Sequence, residues 1–194
     1  MRSAARLLCS VFLALSCTGP SLAQARPETS QQVSVEQFQD WTWRCLVPEK
    51  DGDAKRSGGC EIRQTLQSKE GEQNLTLLRL AVSKASDKAG KVDWALVVVT
   101  PLNVALAADI GLSAGPTEPE TIRYRNCTHE GCYAIFPLNE KRLQKMKSAQ
   151  NGAIFFRVLN GQAIKVPFSL MGFTKAFNVL QSGRPSSSGK DSDQ

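Results

Sequence analysis

The chain has 194 residues, 41% hydrophobic and 22% charged, with 24 Lys and Arg against 18 Asp and Glu and a formal charge of +6. That length suits one core-forming domain rather than two. The basic excess is mild: it bears on solubility and weak contact with anionic surfaces such as glycans or lipid head groups, and no nucleic-acid partner is expected from it.

Arg2 and Arg6 precede the apolar run Leu7 to Leu15, and small residues follow up to Ala23-Gln24-Ala25. The run is shorter than the about 20 residues a membrane span needs, and Ala-x-Ala is a cleavage pattern, so residues 1–25 read as a secretory signal peptide. Cleavage there removes two arginines and no acid, leaving a formal charge of +4. Ala14-Leu15-Ser16-Cys17 loosely resembles a lipobox, with Ala14 where leucine is usual, and lipidation at Cys17 is the competing reading of the leader. No later segment is apolar for long enough to predict a transmembrane span. Residues 26–37 are polar and are expected to be flexible. Residues 38–181 carry the domain, and residues 182–194, rich in Ser, Gly and charge, are expected to be a disordered tail.

Four cysteines lie beyond the leader, in two close pairs: Cys45 with Cys60, and Cys127 with Cys132. An even set behind a secretory signal reads as a disulfide framework and places the protein in the periplasm, or secreted and associated with the outer surface. Four cysteines allow three connectivities, and proximity ranks the two close pairs first.

In chain order, Trp41, Trp43 and Cys45 alternate with polar residues as in a half-buried strand, and Cys60, Ile62 and Gln64 repeat that period after the Gly-rich stretch Pro48 to Gly59. A bond between Cys45 and Cys60 would close a loop of about 15 residues, worth about 3 kcal/mol in the chain-entropy model. Asn74 to Val82 and Trp94 to Thr100 read as strands around a turn-rich Ser83 to Val92, the second buried on both faces and stopped by Pro101. Leu102 to Leu112 reads as strand pieces bent near Ala108-Asp109. Thr121 to Cys127 and Cys132 to Phe136 predict a hairpin clamped at its tip, with Gly131 free to take positive φ. Asn139 to Ser148 predicts a short helix capped by Asn139, and Ala153 to Leu159 with Ile164 to Leu170 a hairpin around Asn160-Gly161. Phe173, Ala176, Phe177 and Leu180 predict a last helix over one end of the sheet. The sum is an all-β fold, an immunoglobulin-like β-sandwich with one or two short peripheral helices.

Several of these segments together resemble the invasion-associated locus B family over about residues 38 to 181. They are Trp43-x-Cys45, Cys60-x-Ile62-x-Gln64, Pro101-Leu102 after the valine-rich strand, Tyr124-x-x-Cys127 with Gly131-Cys132, and Pro167-x-Ser169-Leu170-x-Gly172-Phe173. The resemblance implies an exported alphaproteobacterial protein with an immunoglobulin-like sandwich and no defined biochemical activity; the family name comes from a member linked to invasion of host cells. Where the family usually has Pro-Leu-Gly-Val, this chain has Pro101-Leu102-Asn103-Val104. Asparagine tolerates the left-handed region better than most residues, so a turn there could survive.

Candidate chemistry is sparse. His129 is the one histidine. With Cys127 and Cys132 it lacks a fourth ligand and a familiar zinc spacing, so neither metal nor cofactor is expected. Exchange-active cysteines sit at helix N-termini, whereas Cys127 and Cys132 sit on strand and turn. Ser169 has only Gly172 nearby, whereas a nucleophile elbow has glycine two residues away on each side, and Asp109, Glu118 and Glu120 form no recognisable acid pair, so no catalytic residue is assigned. Trp41, Trp43 and Trp94 read as core rather than as a stacking platform. Asn74-x-Thr76 and Asn126-x-Thr128 match glycosylation acceptors by chance in a bacterial chain. The densest basic cluster, Lys141, Arg142, Lys145 and Lys147, is the candidate contact for an anionic partner. The expected partner is an envelope or host protein or a glycan; the rival expectation is a periplasmic accessory factor for another envelope protein.

Overall fold

The computed structural model describes residues 33–46, 59–70, 73–86 and 92–183. The leader, Cys17, most of the Pro48 to Gly59 stretch and residues 184–194 lie outside the described residues.

Alternation of apolar and polar residues builds a long antiparallel sheet. Its first members are β1 (Val33–Phe38), β2 (Trp41–Leu46), β3 (Cys60–Glu70), β4 (Gln73–Ser86) and β5 (Val92–Thr100). A second sheet begins with β6 (Ile110–Ala114) and β7 (Glu120–Ile122), and the chain then returns to the first through β8 (Asn126–Thr128) and β9 (Gly131–Pro137). After helix α1 (Glu140–Ser148) come β10 (Asn151–Arg157), β11 (Ala163–Ser169) and helix α2 (Phe173–Ser182). Among the described residues the larger sheet has seven strands, in the order β1-β2-β3-β4-β5-β9-β8, and the smaller has four, β11-β10-β6-β7. Every pairing is antiparallel. The expected all-β, two-sheet sandwich with two short helices is the fold that forms.

One core runs between the layers. Trp41, Trp43, Ile62, Leu80, Leu96, Val98 and Phe136 of the large sheet meet Ile110, Ile154, Phe156 and Phe168 of the small one. Helix α2 adds Phe173, Ala176, Phe177 and Leu180, all buried, to the same core. Its i, i+3, i+4, i+7 spacing puts them on one stripe, and the helix packs against β1, β2 and β3. Trp41 meets Phe173 edge-on with ring centroids 5.1 Å apart, and Trp94 meets Phe177 at 5.0 Å. These contacts put the tryptophans in the packing, as their alternation predicts.

Both disulfides join directly opposed residues of neighbouring strands: Cys45 with Cys60 on β2 and β3, and Cys127 with Cys132 on β8 and β9. Gly131, at φ +143°, turns the second hairpin, and Asn139 accepts a hydrogen bond from the Arg142 N–H as N-cap of α1.

Several expectations change. Residues 33–37 are not a flexible segment but most of β1, an edge strand whose exposed and half-buried residues alternate; a strand paired on one side only leaves little apolar signature. Ser83 to Ser86 continue β4, in register with Val92 to Ala95 of β5, instead of opening a loop. Strand β5 buries Leu96, Val98 and Thr100 on one face, while the other is covered only in part, with Ala95 buried and Val97 and Val99 half-buried. β-branched residues suit a pleated surface, covered or open, so their run did not report two covered faces. Thr121 to Cys127 is two strands: β7 completes the small sheet and β8 the large one. Ser182, placed in the tail by composition, closes α2 before its Gly183 cap. Asn103 does not need the left-handed region, since Gln39 is the sole non-glycine at positive φ among the described residues.

Candidate functional site

The basic cluster comes first, because the fold divides it. Helix α1 presents Arg142 and Lys145 to Glu120 of β7. Arg142 Nε donates to Glu120 Oε2 at 3.1 Å, and Lys145 Nζ to Oε1 at 3.0 Å. Arg142 also donates to the Pro137 carbonyl and lies over the Phe136 ring. Lys147 lies over the ring of Phe177, and Lys141 is exposed. Two of the four charges offered to an anionic partner thus bind α1 to the small sheet's edge strand. Glu120, which has no acidic partner in sequence, is the centre of that clamp; its distance in sequence from α1 hides the pairing, and only folding closes it.

Hydrogen bonds from Arg142 and then Lys145 hold the Glu120 carboxyl below the ordinary carboxylate range. A folded-state pKa below the unfolded one stabilises the fold above the unfolded value, and that contribution is lost as pH falls through the folded value. Glu120→Gln is therefore expected to cost on the order of 1 kcal/mol at neutral pH, since the group is partly solvated, and nothing once both carboxyls are protonated. Urea unfolding at neutral and acid pH checks this. An equal cost at both would show that the charge is not the source.

His129 is exposed on the β8–β9 turn, and no group of three or more His, Cys, Asp or Glu placed to hold a metal occurs among the described residues. Beside it, Arg79 Nη2 donates to the Glu130 carbonyl at 2.8 Å and Tyr133 Oη to Glu130 Oε2 at 3.0 Å. These bonds brace the turn against β4, along a shallow groove that also takes in Thr76, Val99 and Pro101. Ser169 serves structure as well: its carbonyl accepts from Trp41 Nε1 and its hydroxyl from the Met171 N–H.

What composition did not reveal is an aliphatic surface at the end of the sandwich where β5 leaves the large sheet. The crossing segment 101–109 is held to the β10–β11 connection by backbone bonds from Ala105 N to Arg157 O and from Leu159 N to Asn103 O. On these two joined segments Leu102, Leu106 and Leu159 are 56%, 54% and 73% exposed. Large aliphatic side chains left exposed on joined segments are the kind of residue that an interface core uses. Nothing in their periodicity separates them from core leucines, so the sequence held no signal for them. Among the described residues no helix is long and apolar enough to cross a membrane.

No curated protein sequence matches the chain. The crystal structure of invasion associated protein B from Bartonella henselae is similar, with a TM-score of 0.59 and 14% identity over 77% of this chain and 96% of that one. At that identity the likeness speaks for the fold. The family model described as invasion associated locus B protein matches residues 41–181, which takes in both disulfides, the crossing segment and nearly all of α2. The chain belongs to the invasion associated locus B family.

Proposed function

We propose that this chain is an exported, non-catalytic protein of the bacterial cell envelope that acts by contact with another protein, through the leucine-bearing end of the sandwich. One observation carries the reading: Leu102, Leu106 and Leu159 are each more than half exposed, on two segments joined by backbone hydrogen bonds. Covering a side chain of this size is worth about 1.5–3 kcal/mol, enough for three of them to anchor a standard interface. A protein partner is favoured over a glycan, because sugar platforms use exposed aromatic rings and Trp41 and Trp43 are buried. Export is supported by the leader and by two disulfides, which persist in oxidising compartments. The names of the family and of the Bartonella protein support a role in invasion, and the partner proposed for that role is a host protein. The rival, an accessory factor for another envelope protein, uses the same surface and differs in where the protein sits.

Photo-crosslinking in intact cells from a reactive group at residue 106 tests the contact. A discrete adduct is expected, reduced at least about tenfold by Leu159→Asp, a change at an exposed position that leaves the melting temperature unaltered. Absence of any adduct, or one indifferent to Leu159→Asp, would remove this surface from the proposal. Protease added to intact cells separates the two partner classes: a protected protein is periplasmic and cannot touch a host directly.

A further inference from the structure

Among the described residues, strand β11 is the outer strand of the small sheet and pairs only with β10. Which of its backbone groups face outward follows from its end. The Leu170 N–H turns inward to Gln150 O at 2.8 Å, whereas the Ser169 carbonyl turns outward to Trp41 Nε1 and Gln64 Nε2. Since direction alternates along a strand, Pro167, Lys165 and Ala163 also face outward, so the open edge offers the N–H and carbonyl of Lys165 and of Ala163 and the carbonyl of Pro167.

Across from this edge, β3 pairs with β2 only from Cys60 to Arg63. Beyond Arg63 no strand among the described residues pairs with it on that side. Between the two open edges lies a groove of about 500 Å³ lined by Thr65, Leu66 and Gln67 of β3 and by Val166 and Pro167 of β11, with Gln64 in its wall.

Gln64 is the second observation. It is 9% exposed, and its Nε2 donates to the carbonyls of Asp40 at 2.9 Å and Ser169 at 3.3 Å. Both partners can only accept, which sets the orientation of the amide. Its Oε1 is buried and has no donor among the described residues. A buried acceptor left unmet costs stability, and a bound donor that reached it would recover that cost.

We propose that this groove receives an extended peptide segment of a partner protein, which adds a strand to β11 at Lys165 and donates a hydrogen bond to Gln64 Oε1. Main-chain groups at strand spacing select a peptide backbone, and Leu66 and Val166 offer apolar contact for alternate side chains. A second copy of β11 is the wrong occupant. Antiparallel self-pairing sets Lys165 against Lys165 of the other copy, or against Pro167, which has no N–H to give, and the register that sets Lys165 against Ala163 overlaps only three residues of the strand. This surface uses different residues from the leucine-bearing end, so in-cell crosslinking can fail while the groove still binds, and the reverse.

The test uses the purified, disulfide-bonded chain, labelled with nitrogen-15, and a capped heptapeptide of alternating threonine and valine. At about 1 mM peptide, shifts are expected at the Lys165 N–H and the Gln64 side-chain amide, with Lys165 amide exchange slowed at least about tenfold. The same peptide N-methylated at its three central residues should produce neither effect. Lys165→Pro removes the outward N–H without touching a β10–β11 bond, and Gln64→Met removes the acceptor; each is expected to weaken binding about tenfold. If either variant fails to fold, the two peptides on the unaltered chain decide. Equal effects from both peptides, no shift at Lys165 and Gln64, or shifts confined to the β1 edge would overturn the proposal.

Discussion

Phe173→Ala is expected to destabilise the domain by about 3–5 kcal/mol, the largest loss from any single side chain of α2. The ring is fully buried, meets Trp41 edge-on at 5.1 Å and stacks on Phe177 at 5.8 Å. Phe177 in turn meets Trp94, so Phe173 joins the first residues of β2 to those of β5 through one row of rings. Removing it forfeits the transfer of a large ring and leaves a cavity between a helix and a sheet, two elements that cannot both close on it. For a domain of this size 1 kcal/mol moves the melting temperature by about 2–4 °C, so a fall of about 6–20 °C is expected in a calorimetric scan. Phe173→Leu should recover about half of it, since much of the volume returns. A loss for Phe173→Ala below about 1 kcal/mol, with the urea slope unchanged, would mean that α2 is not part of the cooperative core.

The second large effect is expected at Gly172, which starts α2. Its φ is +85°, and a Cβ there would lie 2.0 Å from the Phe38 carbonyl oxygen and 2.7 Å from its carbon. Both atoms are backbone, at the β1–β2 turn, and cannot rotate away as a flexible side chain would. Gly161 supplies an internal comparison: its φ is also +85°, and a Cβ there meets nothing within 4 Å. Gly161→Ala should therefore show the conformational cost alone, about 1 kcal/mol. Gly172→Ala should show that cost plus overpacking, for a total of about 2–4 kcal/mol. Urea denaturation of the two variants side by side checks the difference. Equal losses would show that the β1–β2 turn yields to the added methyl group.

These two positions also show how unevenly the fold was legible in the chain. The helix stripe Phe173, Ala176, Phe177 and Leu180 is a local pattern, as are the alternation of Trp41 with Trp43 and the Asn139 cap, because periodicity and hydrogen bonds within one turn are set by neighbours along the chain. That Gly172 must be glycine is not local. It depends on Phe38, more than a hundred residues earlier, whose backbone arrives there only after β1 has found its edge of the sheet. The polar strand β1 is illegible for the same reason: an edge strand that buries little of itself is defined by its partner rather than by its residues.

The site divides along that line too. Lys141, Arg142, Lys145 and Lys147 stand together in sequence and read as one basic patch. In the fold, Glu120 from another sheet takes two of them. Leu102, Leu106 and Leu159 are unremarkable in composition, and they become a surface because the crossing segment 101–109 leaves the large sheet beside the β10–β11 connection. Gln64 alternates with Ile62 like any inward residue of β3; that its carbonyl oxygen lacks a donor follows from where Asp40 and Ser169 come to rest.

By itself the sequence determined the strands with strong alternation, both helices and the hairpin at Asn160-Gly161, and it ranked the two close cysteine pairs first, since each depends on contacts that span few residues. Tertiary structure alone decided which sheet each strand joined, which edges stayed open, and which charges and leucines faced outward. Sheet pairing and exposure are set by residues that are far apart in sequence and adjacent only after folding, and no local period encodes their meeting.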